Sequence, residues 1–159
     1  MRYFEDLKVG DRAELGRHTF STEAIKRFAA AYDPQPFHLD EAAAADSVFG
    51  GLCASGWHTA SVWMRLMIDY RVRNADIGTP DGQPPKMGPS PGFDDMKWLK
   101  PVLAGQTIAY STEIIELRTS RSRPDWGIMT SRNEGRDEAG ELVFSFIGRV
   151  FVERRPEQV

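Results

Sequence analysis

"GWHTASVWMRLMIDY", residues 56–70, is the stretch on which the fold turns. Trp57, Ala60, Val62, Trp63, Met64, Leu66, Met67, Ile68 and Tyr70 leave almost no polar stripe. The run follows a glycine, and a helix apolar nearly all round is a buried one. Such a helix needs something wrapped around it.

The residues on either side supply the wrapping. "FDDMKWLKP" (93–101), "QTIAYSTEIIEL" (106–117), "WGIMTSRN" (126–133) and "ELVFSFIGRVFVE" (141–153) are rich in β-branched and aromatic residues. Leu142, Phe144, Phe146, Val150 and Val152 share one parity, as one face of a strand requires. "VLAGQ" and "RDEAG" punctuate these strands as turns. Upstream, "LGRHTFS" (15–21) has short-strand character, and Ser21 or Thr22 can cap a helix. Ile25, Phe28, Ala29 and Tyr32 form one apolar face of that helix, which Pro34 and Pro36 end. "LDEAAAADSVF" predicts a second, short helix, broken by Gly50 and Gly51. Helices early and consecutive strands late predict an α+β fold: an antiparallel sheet around the 56–70 helix. Such a sheet keeps an open edge, so a homodimer or higher homo-oligomer is expected.

One domain spanning residues 1–159 is expected, with one interruption. "NADIGTPDGQPPKMGPSPG" (74–92) carries too many prolines and glycines for regular structure. A loop of that length is a lid, a binding loop or a segment lying on a partner. The net charge of −3, with both signs interspersed, argues against a nucleic-acid partner. One cysteine, Cys53, excludes an internal disulfide framework, and three scattered histidines fit no metal-ligand spacing. The apolar runs fall short of a membrane span, and "MRYFEDLKVGD" lacks a signal-peptide core, so a cytoplasmic protein with no membrane partner is expected.

The chemistry concentrates in "YDPQPFHLD", residues 32–40. Pro34 and Pro36 pre-shape a loop after the first helix, so Asp33 and His38 can converge on one small molecule such as a water. Histidine as a residue type can take up or release a proton near neutral pH. Asp40 reads as a helix cap or an orienting neighbour of His38.

With "FGGLCASGWHTASVWM" following it, this stretch resembles the MaoC-like dehydratases, the (R)-specific enoyl-CoA hydratase family. "YFEDLKVGD" and "MKWLKPVLAGQTI" extend the resemblance over about residues 1–153. It implies a hot-dog fold, usually dimeric. It also implies that Asp33 and His38 hold a catalytic water, which is added to a 2-enoyl thioester or removed from a 3-hydroxyacyl thioester. His38 is expected as base and Asp33 as its acidic partner. The thioester would be carried by coenzyme A or a carrier protein, with no separate cofactor. Gly56 matches the glycine that opens the family's central helix. There a backbone N–H can stabilise enolate charge, and the missing side chain lets the thioester come close. Ser61 matches a serine that can bond the catalytic histidine; its other reading is helix packing.

Three positions depart from the family pattern: Gln35 stands for asparagine, Tyr32 for glycine, and Ser55 for the histidine before the helix glycine. They leave the acyl substrate open, and those at Gln35 and Ser55 motivate one alternative, a non-catalytic acyl-thioester-binding subunit. A hot-dog acyl-CoA thioesterase is the other alternative, and the Asp33-to-His38 arrangement argues against it. Elsewhere, His58 reads as a core histidine, His18 as exposed and Cys53 as a small packing residue. Trp57 and Trp63 read as core residues that could line an acyl tunnel. Arg118, Arg121 and Arg123 read as a solvated hairpin end or a phosphate contact.

Overall fold

The computed structural model describes residues 2–74 and 85–156. Strand β1 (Arg12–Thr19) leads into helix α1 (Thr22–Tyr32), where the Ser21 hydroxyl accepts a 3.2 Å bond from the Ala24 N–H and caps the helix. Two short helices follow, α2 (Pro36–Leu39) and α3 (Glu41–Ala45), then the long helix α4 (Gly56–Arg73). Strands β2 (Gly92–Trp98), β3 (Thr107–Thr119), β4 (Trp126–Arg136) and β5 (Leu142–Glu153) complete the chain.

The five strands form one antiparallel sheet in the order β1-β3-β4-β5-β2. Its register slips four times: at Glu14/Gly16, Asp94/Lys97, Ile114/Glu116 and Gly135/Arg136. Each extra residue sharpens the local twist and bends the strand, which lets a sheet curl around a helix. Leu15, Ile108, Tyr110, Phe144 and Phe146 on the sheet enclose Trp63 and Met67 of α4. Burying each large side chain stabilises the fold by about 2–3 kcal/mol. The Tyr110 hydroxyl donates 3.1 Å to the Thr59 carbonyl, tying β3 to α4. Burial raises the Tyr110 pKa, so the donor stays protonated.

Two expectations need correction. Helix α4 is not covered on every side: His58, Thr59, Trp63 and Met67 are buried, but Trp57, Met64, Ile68 and Val72 are 53%, 51%, 43% and 69% exposed. A single sheet wraps one face of a helix, so the apolar residues on the opposite face remain outside. His18 is half-buried rather than exposed, because its ring turns against Phe20 and His58.

Much of the 74–92 loop, residues 75–84, lies outside the described residues. Its last part runs beside β5: the Gly88 N–H donates 2.8 Å to the Phe151 carbonyl, and Met87 bridges to Val152. No helix among the described residues is long and apolar enough to cross a membrane.

Candidate functional site

Asp33 is the residue on which α1 ends, and its N–H still donates 2.9 Å to the Ala29 carbonyl. Pro36 starts α2 at the first helical position, where its missing N–H costs nothing. The prolines therefore do more than stiffen a loop. They end one helix and begin another, and His38 sits on that new turn, buried. Asp40 follows as the cap of α3, accepting 2.8 Å from the Ala43 N–H.

The His38 ring is held at both nitrogens. Nδ1 lies 2.7 Å from the Cys53 carbonyl oxygen. A carbonyl only accepts, so the hydrogen of the neutral ring is assigned to Nδ1 and the lone pair to Nε2. Nε2 faces Asp33 Oδ2 at 3.4 Å. That is longer than a direct charge-assisted bond. With a neutral ring, two acceptors face each other there, and one donor placed between them, such as a water, satisfies both. With a protonated ring, the Nε2–H faces the carboxylate as an ion pair.

Asp33 is half-buried and held by its neighbours. Burial alone would raise its pKa, but hydrogen bonds from Ser55 and Gln35 and the His38 charge outweigh it, so the net shift is downward. The Gln35 amide donates 2.8 Å to Oδ1. The Ser55 hydroxyl also accepts 3.2 Å from the Trp57 N–H, so one side chain caps α4 and donates to Asp33.

Asp33, His38 and Gly56 line one cavity of about 470 Å³, together with Thr59, Trp57 and Trp98. The Gly56 N–H is among the first donors of α4, which have no partner within the helix. Its carbonyl accepts from the Thr59 hydroxyl at 2.6 Å and from the Trp98 indole at 2.8 Å. The indole lies against the Gly56 Cα, so what uses the missing side chain within the chain is Trp98.

Ser61 does not reach His38. It is exposed and donates 2.7 Å to the Trp57 carbonyl one turn back, the usual habit of a helical serine. Cys53 is buried, and burial raises its thiol pKa, as suits a packing residue. Its carbonyl is what matters to His38. Arg118 and Arg121 are exposed, and Arg123 lies over the Phe151 ring at 5.4 Å. Trp63 packs edge-on against Phe146 in the core, whereas Trp57 lines the cavity wall. Reading the residues missed Ser55 and Trp98 as site groups. The available signal for Ser55 was its place immediately before a helix glycine, which is a cap position.

Residues 8–130 match the MaoC-like domain family, a span that takes in Asp33, His38, Ser55 and Gly56. Among solved structures, the MaoC-like dehydratase from Rhodospirillum rubrum is 40% identical, with a TM-score of 0.80 over 98% of this chain and 99% of that one. The R-hydratase from Pseudomonas aeruginosa shares the fold at 20% identity, with a TM-score of 0.68 over 99% of this chain and 91% of its own. A stretch of 65 residues, 40% of this chain, is 38% identical to the mesaconyl-CoA hydratase of Haloarcula hispanica and spans 18% of that curated relative.

Proposed function

This chain belongs to the MaoC-like dehydratase family and has the hot-dog fold of its hydratase structures, and on that footing we propose that it hydrates 2-enoyl thioesters, or dehydrates 3-hydroxyacyl thioesters, at Asp33 and His38. The observation that carries this reading is the 3.4 Å approach of two acceptors, His38 Nε2 and Asp33 Oδ2, in a cavity that reaches the first turn of α4. A water between them donates one hydrogen to each.

In the hydration direction, Nε2 takes a proton as the water oxygen bonds to the β carbon. The electron pair of the double bond moves onto the thioester oxygen as an enolate. The imidazolium then returns the proton to the α carbon, and the enolate collapses to the thioester. Asp33, kept ionised by Ser55 and Gln35, orients the water and stabilises the imidazolium. In this reading Asp33 is the charged partner of His38, and the imidazolium supplies the proton to the α carbon. The enolate oxygen is served by the Gly56 N–H, where the helix dipole adds to the hydrogen bond.

The exposed Trp57, Met64, Ile68 and Val72 stripe and the free edges of β1 and β2 support a homodimer. The test of function is loss of enoyl absorbance with a panel of enoyl-CoA esters. Asp33→Asn and His38→Ala should each lower turnover by roughly 100-fold or more. Full activity in both variants, or release of free thiol in place of hydration, would defeat this reading.

A further inference from the structure

Two cavities lie beyond the Asp33 and His38 pocket, along the same helix. The first, about 410 Å³, runs between α4 and the β4–β5 face and shares Trp57 with the catalytic pocket. The second, about 340 Å³, lies at the far end of α4 and shares Met67, Arg71 and Met129 with the first. Four arginines line this pair, and three are paired. Arg149 meets Asp94, Arg2 meets Asp11 at 2.8 Å and Arg12 meets Glu14 at 3.3 Å. Arg71 is half-buried and makes no hydrogen bond or ion pair among the described residues. Burial lowers its pKa, a sign that its charge is poorly solvated. The C-terminal turn of a helix favours a cation, which accounts for the residue's sign but not for its burial without a partner.

The cavities beside Arg71 are lined mainly by apolar residues, Met67 and Met129 among them, as an alkyl chain requires, and carry a few fixed polar groups. Ser131 and Asn133 line the first cavity and Thr112 the second. Asn133 is fully buried, accepting 2.8 Å from the Thr112 hydroxyl and donating 3.2 Å to the Ser131 carbonyl. A half-buried guanidinium with no partner among the described residues, at the end of a mainly apolar channel, suits a planar anion that it can grip with two N–H groups.

We propose that Arg71 is a specificity residue that binds the terminal carboxylate of an ω-carboxyacyl thioester, with the acyl chain lying along α4 from the Asp33 and His38 pocket. The inference rests on the acyl-thioester reading. The rise of α4 between Gly56 and Arg71 is roughly 22 Å, less the reach of a side chain that leans toward the helix start. The fitting substrate is therefore a medium or long dicarboxylic chain rather than a short one.

The experiment measures binding, so that it does not depend on turnover. Saturated ω-carboxyacyl-CoA esters of increasing length are titrated calorimetrically against chain-matched ω-methyl esters, free CoA and free dicarboxylates, using the wild type, Arg71→Met and Arg71→Lys. Wild type should prefer the carboxylated ester by about 10- to 100-fold at the fitting length. Arg71→Met should bring that ratio close to one, and Arg71→Lys should recover part of it. A free dicarboxylate should compete with the ester. No preference in the wild type, or a preference that survives Arg71→Met, would overturn the inference. Arg71-dependent binding of free CoA equal to that of the ester would assign the guanidinium to phosphate and overturn it too. Arg71-dependent binding of free dicarboxylate by a protein that binds no acyl-CoA would uphold the carboxylate site and refute the thioester reading, so the two failures are separable.

Discussion

The Trp98 indole N–H donates 2.8 Å to the carbonyl oxygen of Gly56, a residue 42 positions earlier, and the ring lies against the glycine Cα. A Cβ added at Gly56 would stand 2.6 Å from the ring, well inside contact distance. Trp98 is 43% exposed, so it can swing away, but only by giving up this bond. Gly56→Ala should thus destabilise the fold by about 1–2 kcal/mol, the lost bond and packing exceeding the helix-propensity gain of alanine. In a Trp98→Ala background the same change should be neutral or slightly stabilising. Urea unfolding of the two single variants and the double variant measures the coupling. Additive effects would mean that the ring does not constrain Gly56.

Ser55 links the start of α4 to the Asp33 carboxylate, so Ser55→Ala should change two things. Loss of the cap should lower stability by about 1 kcal/mol. Loss of a donor to Asp33 should raise the carboxyl pKa, since Ser55 is the foremost of the groups that lower it. The acidic limb of the pH–rate profile should then move to higher pH. Ser55→Thr, which keeps the hydroxyl, should leave that limb near its original place. A Ser55→Ala enzyme with an unmoved acidic limb would refute the link.

His58 should make stability pH-dependent. Its ring stacks on Phe28 at 4.6 Å, and Nδ1 is buried with no hydrogen-bond partner among the described residues. Burial first, then the charges of His18 and Arg27, push its pKa from 6.5 down to about 4. The folded-state pKa lies below the unfolded one, so unfolding takes up a proton between these values. The neutral ring's contribution is complete above pH 6.5 and is lost as pH falls toward 4, by about 3 kcal/mol in all. His58→Phe, which keeps the aromatic stack, should flatten unfolding free energy across that window. Equal slopes in both proteins from pH 7 to pH 4.5 would show that His58 does not carry the effect.

Gln35 holds Asp33 Oδ1 through its amide, and Gln35→Leu should weaken that hold. Turnover should fall by roughly 5- to 10-fold, the value of one modest hydrogen bond to a charged group. The acidic limb should shift upward as in Ser55→Ala, by less, because Gln35 ranks after Ser55 among the groups that lower the Asp33 pKa. Single-turnover measurement on an enoyl-CoA ester reads both.

Local pattern made much of this protein legible. A run apolar nearly all round marked α4, parity marked β5, and the Asp33–His38 spacing with two prolines marked the candidate site. The family departures at Gln35 and Ser55 looked like reasons for doubt about the substrate. In three dimensions they are two donors to the same carboxylate, Asp33.

Periodicity and spacing are properties of neighbours, and a chain of 159 residues can be read for them from end to end. Contacts between distant residues answer to sheet register and packing, which no short stretch encodes. Pairing of β2 with β5 carries Trp98 onto Gly56, and the path after α3 brings the Cys53 carbonyl under His38. The same geometry leaves one face of α4 bare, because one sheet can bend around only one side of a helix. Asp33 and His38 could therefore be singled out from the chain, while the hydrogen-bond partner of His38 Nδ1, the donors to Asp33 and the ring over Gly56 became readable only once the strands were paired.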